Sequence, residues 1–191
     1  MVSIEQGNDA VKKQQNVLHA NISLVLDSYD AIFSDFDPRP YAERMISDDF
    51  LTECKRAVHD KNGLEQLRLL IPSHMRKPSE EIHIKKRLKE YFRKHLLEEE
   101  KEIKSIKKEG IRWLFIGSII MILSTVLYEY KALSYIGFKF LVDFIFVISQ
   151  PAGWFTFWEG LGKIFIVAKE HTPSYEFFRK MQNTEIYFFN Y

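Results

Sequence analysis

Four aspartates, Asp27, Asp30, Asp35 and Asp37, crowd one short stretch of the chain beside Arg39. Carboxylate oxygens at close spacing suit a hard cation such as Mg²⁺ or Ca²⁺. The spacing does not fit the calcium loop of an EF-hand, and Pro38 and Pro40 place these residues in a turn, where aspartates bond to nearby backbone N–H groups. Asp35, Asp37 and Arg39 therefore form a candidate cluster whose plainer reading is a folded loop, with Arg39 pairing one of the carboxylates. A second group, Asp143, Gln150 and Glu159, interrupts otherwise apolar sequence. Ionisable groups at membrane depth are costly unless hydrated or paired, which makes these residues candidates for a transport path. Lys139 and Lys163 lie four residues from Asp143 and Glu159 on the same helical face, so ion pairs in the headgroup layers explain them equally simply.

Other chemistries find no pattern. The six histidines, His19, His59, His74, His83, His95 and His171, show no paired ligand spacing, so no metal site is expected. The eight glycines are scattered, without the glycine-rich loop and lysine that cradle a phosphate. There is no nucleophile elbow, and no residue is assigned a catalytic or cofactor-binding role. Cys54 is the sole cysteine, which excludes an intramolecular disulfide; its charged surroundings predict a solvent-facing or half-buried thiol. With Lys plus Arg at 27 and Asp plus Glu at 26, the net charge of +1 gives no electrostatic case for nucleic acid.

The elements that would position these residues are unevenly distributed. Residues 111–128, IRWLFIGSIIMILSTVLY, carry no charge after Arg112 and are long enough to cross about 30 Å of hydrocarbon at about 1.5 Å per residue. A short connection over 131–137 leads to a second apolar stretch over 138–168, with Pro151 at its middle predicting a kink, or two half-helices meeting there. Lys101, Lys104, Lys107, Lys108 and Arg112 precede the first stretch, and Lys163, Lys169, Arg179 and Lys180 lie at or beyond the end of the second. The connection offers only Lys131 and Lys139. Cations mark the cytoplasmic side, so both termini are expected there.

Upstream, residues 21–26 (NISLVL) and 64–71 (LEQLRLLI) read as short strands rich in aliphatic residues. Between them, Ser47 looks like the cap of a helix over 48–59, with Phe50, Leu51, Cys54 and Val58 at helical spacing. Pro78, Ser79, Glu80 and Glu81 open a long helix with no glycine or proline until Gly110, where a slight bend is allowed. Ile84, Leu88, Tyr91, His95, Ile103 and Ile106 form its apolar stripe, which must be covered by the head or by another copy. A short helix from Pro173 and a terminal strand over 184–190 (TEIYFFN) close the chain. That strand is expected to pair with 21–26 or 64–71, because three strands are the minimum for an independent sheet.

The runs SDFDPRPYAERMISDDFL (34–51) and IKKRLKEYFRKHLLEEEKEI (84–103), with Trp158-Glu159 and the basic, tyrosine-ending tail, resemble a family of uncharacterised prokaryotic two-pass membrane proteins. This chain has Gly160 and Lys163 where that family is more acidic and tryptophan-rich. The resemblance implies the two-pass topology and a prokaryotic origin; it implies no activity, ligand or cofactor.

The expected fold is a membrane α-helical hairpin plus a small cytoplasmic α+β domain, with a long juxtamembrane helix continuous with the first transmembrane helix. Its parts are a disordered tail (1–20), a head (21–77), a stalk (78–110), two membrane helices (111–130 and 138–168) joined by an external loop (131–137), and a C-terminal helix and strand (169–191) that complete the head. The expected partners are the lipid bilayer of the inner (plasma) membrane and other copies of the chain. A homo-oligomeric scaffold or interaction protein fits these features, and a small oligomeric ion channel or transporter around Pro151 is the alternative.

Overall fold

The structure is a computed structural model and describes residues 21–59, 64–130 and 139–191. The expected N-terminal tail and the external loop lie outside the described residues. The chain divides into two compact units, Met1–Leu97 with Tyr175–Tyr191, and Glu98–Ser174.

The first unit is built on a three-stranded sheet of β1 (Asn21–Val25), β2 (Gln66–Ile71) and β3 (Glu185–Asn190), in the order β1-β2-β3 and parallel throughout. The C-terminal strand thus joins β2, one of the two partners the sequence allowed, and makes β2 central. Its alternation sends Leu67, Leu69 and Ile71, all fully buried, to one face and Gln66, Arg68 and Leu70 to the other. In register, Ile22 and Ile186 flank Leu67, and Leu24 and Phe188 flank Leu69.

Helix α1 (Asp48–His59) starts and stops where Ser47 and the acidic first turn place it. Phe50, Leu51, Cys54 and Val58 recur every three or four residues and all reach the core. Cys54 is 0% exposed, not solvent-facing as its charged neighbours suggested: those neighbours occupy the outer face of the same helix. Burial pushes its thiol up to about 12. Helix α2 (Pro78–Tyr130) contributes Ile84, Leu88 and Phe92, each fully buried. Of the two covers expected for the stripe, the head supplies it over these turns, with Tyr91 partly buried against the same core.

The second unit contains the rest of α2, helix α3 (Lys139–Gly162), a π-helical segment (Lys163–Val167) and the short helix α4 (Ala168–Glu170). Helix α5 (Thr172–Asn183) follows and carries Phe177, Phe178 and Met181 into the core of the first unit. Helix α2 continues through Gly110, and α3 continues through Pro151; the irregular turn falls at 163–167 instead. Both helices are long and apolar enough to cross a membrane.

Within this unit α2 and α3 pack antiparallel through glycines spaced by seven on each. A Cβ added at Gly117 would lie 2.5 Å from the Phe157 nitrogen and 2.7 Å from the Gly153 oxygen. One added at Gly160 would lie 2.6 Å from the Gly110 oxygen, and one at Gly110 2.8 Å from the Gly160 oxygen. No side chain fits between backbones this close, so each of these positions takes a residue without a Cβ. Further along, Ser124 donates to Ser149 Oγ at 2.6 Å across the same seam.

Candidate functional site

The loop between β1 and α1 brings Asp37 and Arg39 together and leaves Asp35 exposed. Arg39 grips Asp37 with two nitrogens, Nε to Oδ1 at 2.9 Å and Nη2 to Oδ2 at 2.7 Å. The Met45 backbone N–H adds a bond to Oδ2 at 2.7 Å, and the Arg39 N–H one to Oδ1 at 3.2 Å. The Arg39 hydrogen bonds hold the Asp37 carboxyl well below the usual carboxylate range. Its oxygens are thus committed to closing the loop. Asp30 likewise accepts from Arg44 Nη1 at 2.6 Å and from the Tyr41 hydroxyl at 3.2 Å.

Beyond the C-terminal ends of the strands lies a polar knot that the sequence did not announce. Arg76 donates to both oxygens of Glu81, at 2.7 and 2.9 Å, and its third nitrogen reaches Asn190 Oδ1 at 2.6 Å. The Tyr29 hydroxyl donates to Glu81 at 3.0 Å and accepts from the Lys77 backbone N–H at 2.9 Å. Burial pushes the Glu81 carboxyl up, but the hydrogen bonds from Arg76 and Tyr29 outweigh it and hold it below its ordinary value. The three Arg76 nitrogens, both Glu81 oxygens and the Tyr29 hydroxyl all have partners inside the protein, so the knot ties the first turn of α2 to the sheet.

In the second unit the polar residues of α3 separate. Asp143 is exposed, and the side chain of its expected partner Lys139 lies outside the described residues. Gln150 donates to Thr125 Oγ1 of α2 at 3.3 Å. Glu159 meets Lys163 at 3.8 Å, the spacing-four pair expected, and Lys163 also lies 3.5 Å from Glu109, which accepts from the Trp113 indole at 3.3 Å. Asp143, Gln150 and Glu159 therefore do not converge on one point.

Among the described residues, one group of side chains that could ligate a metal forms where spacing along the chain could not show it. His171 Nδ1 lies 3.2 Å from Glu99 Oε2 and 4.0 Å from Glu102 Oε2, and the three ligand atoms all fall within 4.8 Å of one another. Glu99 and Glu102 share one face of α2 one turn apart, while His171 arrives from the end of α4. The signal open to sequence reading was the Glu-x-x-Glu spacing alone; the histidine stands 72 residues from Glu99.

No protein-family model, curated protein or solved structure matches the chain. Its function must be argued from these groups and surfaces.

Proposed function

We propose that the chain is an integral membrane protein that crosses a bilayer twice, keeps both termini in the cytoplasm, and acts as a homo-oligomeric scaffold of the plasma membrane. The observation that carries the membrane reading is the outer surface of α2 and α3. Phe115, Ile122, Val147 and Phe155 are 66%, 62%, 65% and 72% exposed, and Phe144 and Trp154 are more than half exposed. In water, contiguous apolar surface on this scale would drive aggregation. Lipid is the solvent that suits it, with the glycine seam facing inward. The cation-rich ends, Lys101 to Arg112 and Lys163 to Lys169, face the cytoplasm.

The oligomer reading rests on the sheet. Its second face carries Val25, Leu70 and Phe189 in one row and Ser23, Arg68 and Tyr187 in the next, and among the described residues none of these joins the core. Val25 is 66% exposed, and Tyr187 and Phe189 are each 43% exposed. Parallel sheets are normally covered on both faces. Three strands of five or six residues offer only about 250 Å² at the usual strand spacing, far less than the roughly 800 Å² per partner of a stable interface. Such a patch suits a partner already held at the same membrane surface, where tethering raises its effective concentration. A second copy meets that condition, and a two-fold contact would set the same face of each sheet against the other.

Alkaline washing of membranes followed by gel filtration with light scattering in mild detergent tests both parts. Full retention in the membrane pellet and a dimer or larger particle, reduced to monomer by Phe189→Glu, are expected. A chain released by the wash contradicts membrane insertion; a monomeric wild type contradicts the scaffold. The channel reading draws on Ser124, Thr125, Ser149 and Gln150, which place polar groups at one level of the hairpin. Ion flux in liposomes that falls on Asp143→Asn or Glu159→Gln would favour it over the scaffold.

A further inference from the structure

We propose that Glu99, Glu102 and His171 bind one divalent transition-metal ion, clamping the lower part of the second unit. The donor set, one imidazole and two carboxylates, matches Zn²⁺, Mn²⁺ or Fe²⁺, because imidazole favours the transition metals over Mg²⁺ and Ca²⁺. The geometry is close to what an ion requires. Ligand bonds of about 2.0–2.1 Å at tetrahedral angles put neighbouring ligand atoms about 3.3 Å apart. His171 Nδ1 and Glu99 Oε2 already stand at 3.2 Å, and Glu102 Oε2, at 4.0 Å from the same nitrogen, has under 1 Å to close. The Glu102 side chain is 57% exposed and can turn to do so, while Glu99 and His171, at 20% and 29%, are held more firmly. Three protein ligands leave one or more positions for water or an exogenous ligand.

The backbone supports this placement independently. A π turn holds one more residue than an α-turn and rotates everything after it by about 100°. The π segment Lys163–Val167 comes between the glycine seam and α4, so it resets the facing of the segment that ends at His171. Such insertions recur at ligand-binding positions. An ion here would join α2 to the returning chain by coordinate bonds, adding to the glycine contacts and the Ser124–Ser149 and Gln150–Thr125 hydrogen bonds of the seam.

The test uses the full chain, purified in mild detergent and stripped with a chelator. Zn²⁺ and Mn²⁺ are titrated by calorimetry, and Mn²⁺ also by electron paramagnetic resonance. One ion per chain is expected, with affinity reduced more than tenfold in His171→Ala and in Glu99→Gln, since even outer-shell partners of a metal are worth about 10–100-fold. Glu102→Gln, at an exposed position that leaves packing untouched, is expected to weaken binding in the same direction. Circular dichroism at matched helix content separates lost ligation from lost folding. Absence of saturable binding below about 1 mM overturns the proposal, and so does binding to the wild type that persists unchanged in the His171→Ala, Glu99→Gln double variant; the sites would then be the other histidines.

Discussion

The two units of this chain are held together in opposite ways. In the first, large side chains fill the interior: Leu67, Leu69, Ile71, Ile84, Leu88 and Phe92 are fully buried. In the second, the large side chains point outward and the interior seam is glycine against glycine. The inversion is what one physical preference, close packing of whatever faces inward, would produce if the second unit lies in lipid as proposed. Water rewards burial of apolar surface in the first unit at about 25 cal/mol per Å². In the second, on the proposed two-pass reading, lipid removes that reward between helices and close backbone approach replaces it.

The largest effect that would break this comparison is in the first unit. Phe92→Ala removes a fully buried ring between the helices and the sheet and is expected to destabilise that unit by about 3–5 kcal/mol, measured by denaturant titration followed through the near-ultraviolet signal. A loss under about 1 kcal/mol would mean the packed core is not what holds it.

The counterpart in the second unit is to add a side chain. Gly117→Leu forces atoms to within 2.5–2.9 Å of the Phe157 and Gly153 backbones, and overpacking of this kind costs about 1–3 kcal/mol. Thermal unfolding of the helical signal in detergent should report it. Gly162→Ala is the matched control, because nothing lies within 4 Å of the added Cβ; it should be neutral or stabilise by up to about 1 kcal/mol through helix propensity. Equal effects at both glycines would remove the seam from the account.

Two smaller effects sharpen the picture of the first unit. Glu81→Gln leaves the half-buried Arg76 guanidinium without its carboxylate and should cost about 1–3 kcal/mol at neutral pH. Because the folded carboxyl titrates below its unfolded value of about 4.3, its contribution is present above that pH and is lost as pH falls through the folded pKa. Acid titration of stability should therefore flatten in the variant. Smallest of all, Cys54 in the native protein should react with thiol reagents at a rate set by unfolding, since its thiol is fully buried and its pKa is raised; rapid labelling would mean that α1 opens easily.

Much of the fold was legible because local signals agreed. Ser47 with the acidic turn after it, and Pro78 with Glu80 and Glu81, mark helix starts that α1 and α2 obey. The periodicity of Ile84 and Leu88 identified a buried stripe, although it could not say that the same chain would cover it. What stayed hidden depends on the return of the chain. The glycines at 110, 117, 153 and 160 looked scattered because their meaning appears only when two helices run antiparallel with 110 opposite 160 and 117 opposite 153. His171 had no visible partner because Glu99 comes near it only through the hairpin. Spacing also could not show that all three strands run parallel, or that Arg76 and Asn190 would share the Glu81 knot.

The central claim, that this hairpin crosses a bilayer and comes back, is tested most directly by compartment-sensitive reporters fused after Tyr130 and after Tyr191 in growing cells. The account predicts an external reporter at Tyr130 and a cytoplasmic one at Tyr191. Both reporters on the cytoplasmic side, or an external one at Tyr191, would contradict it.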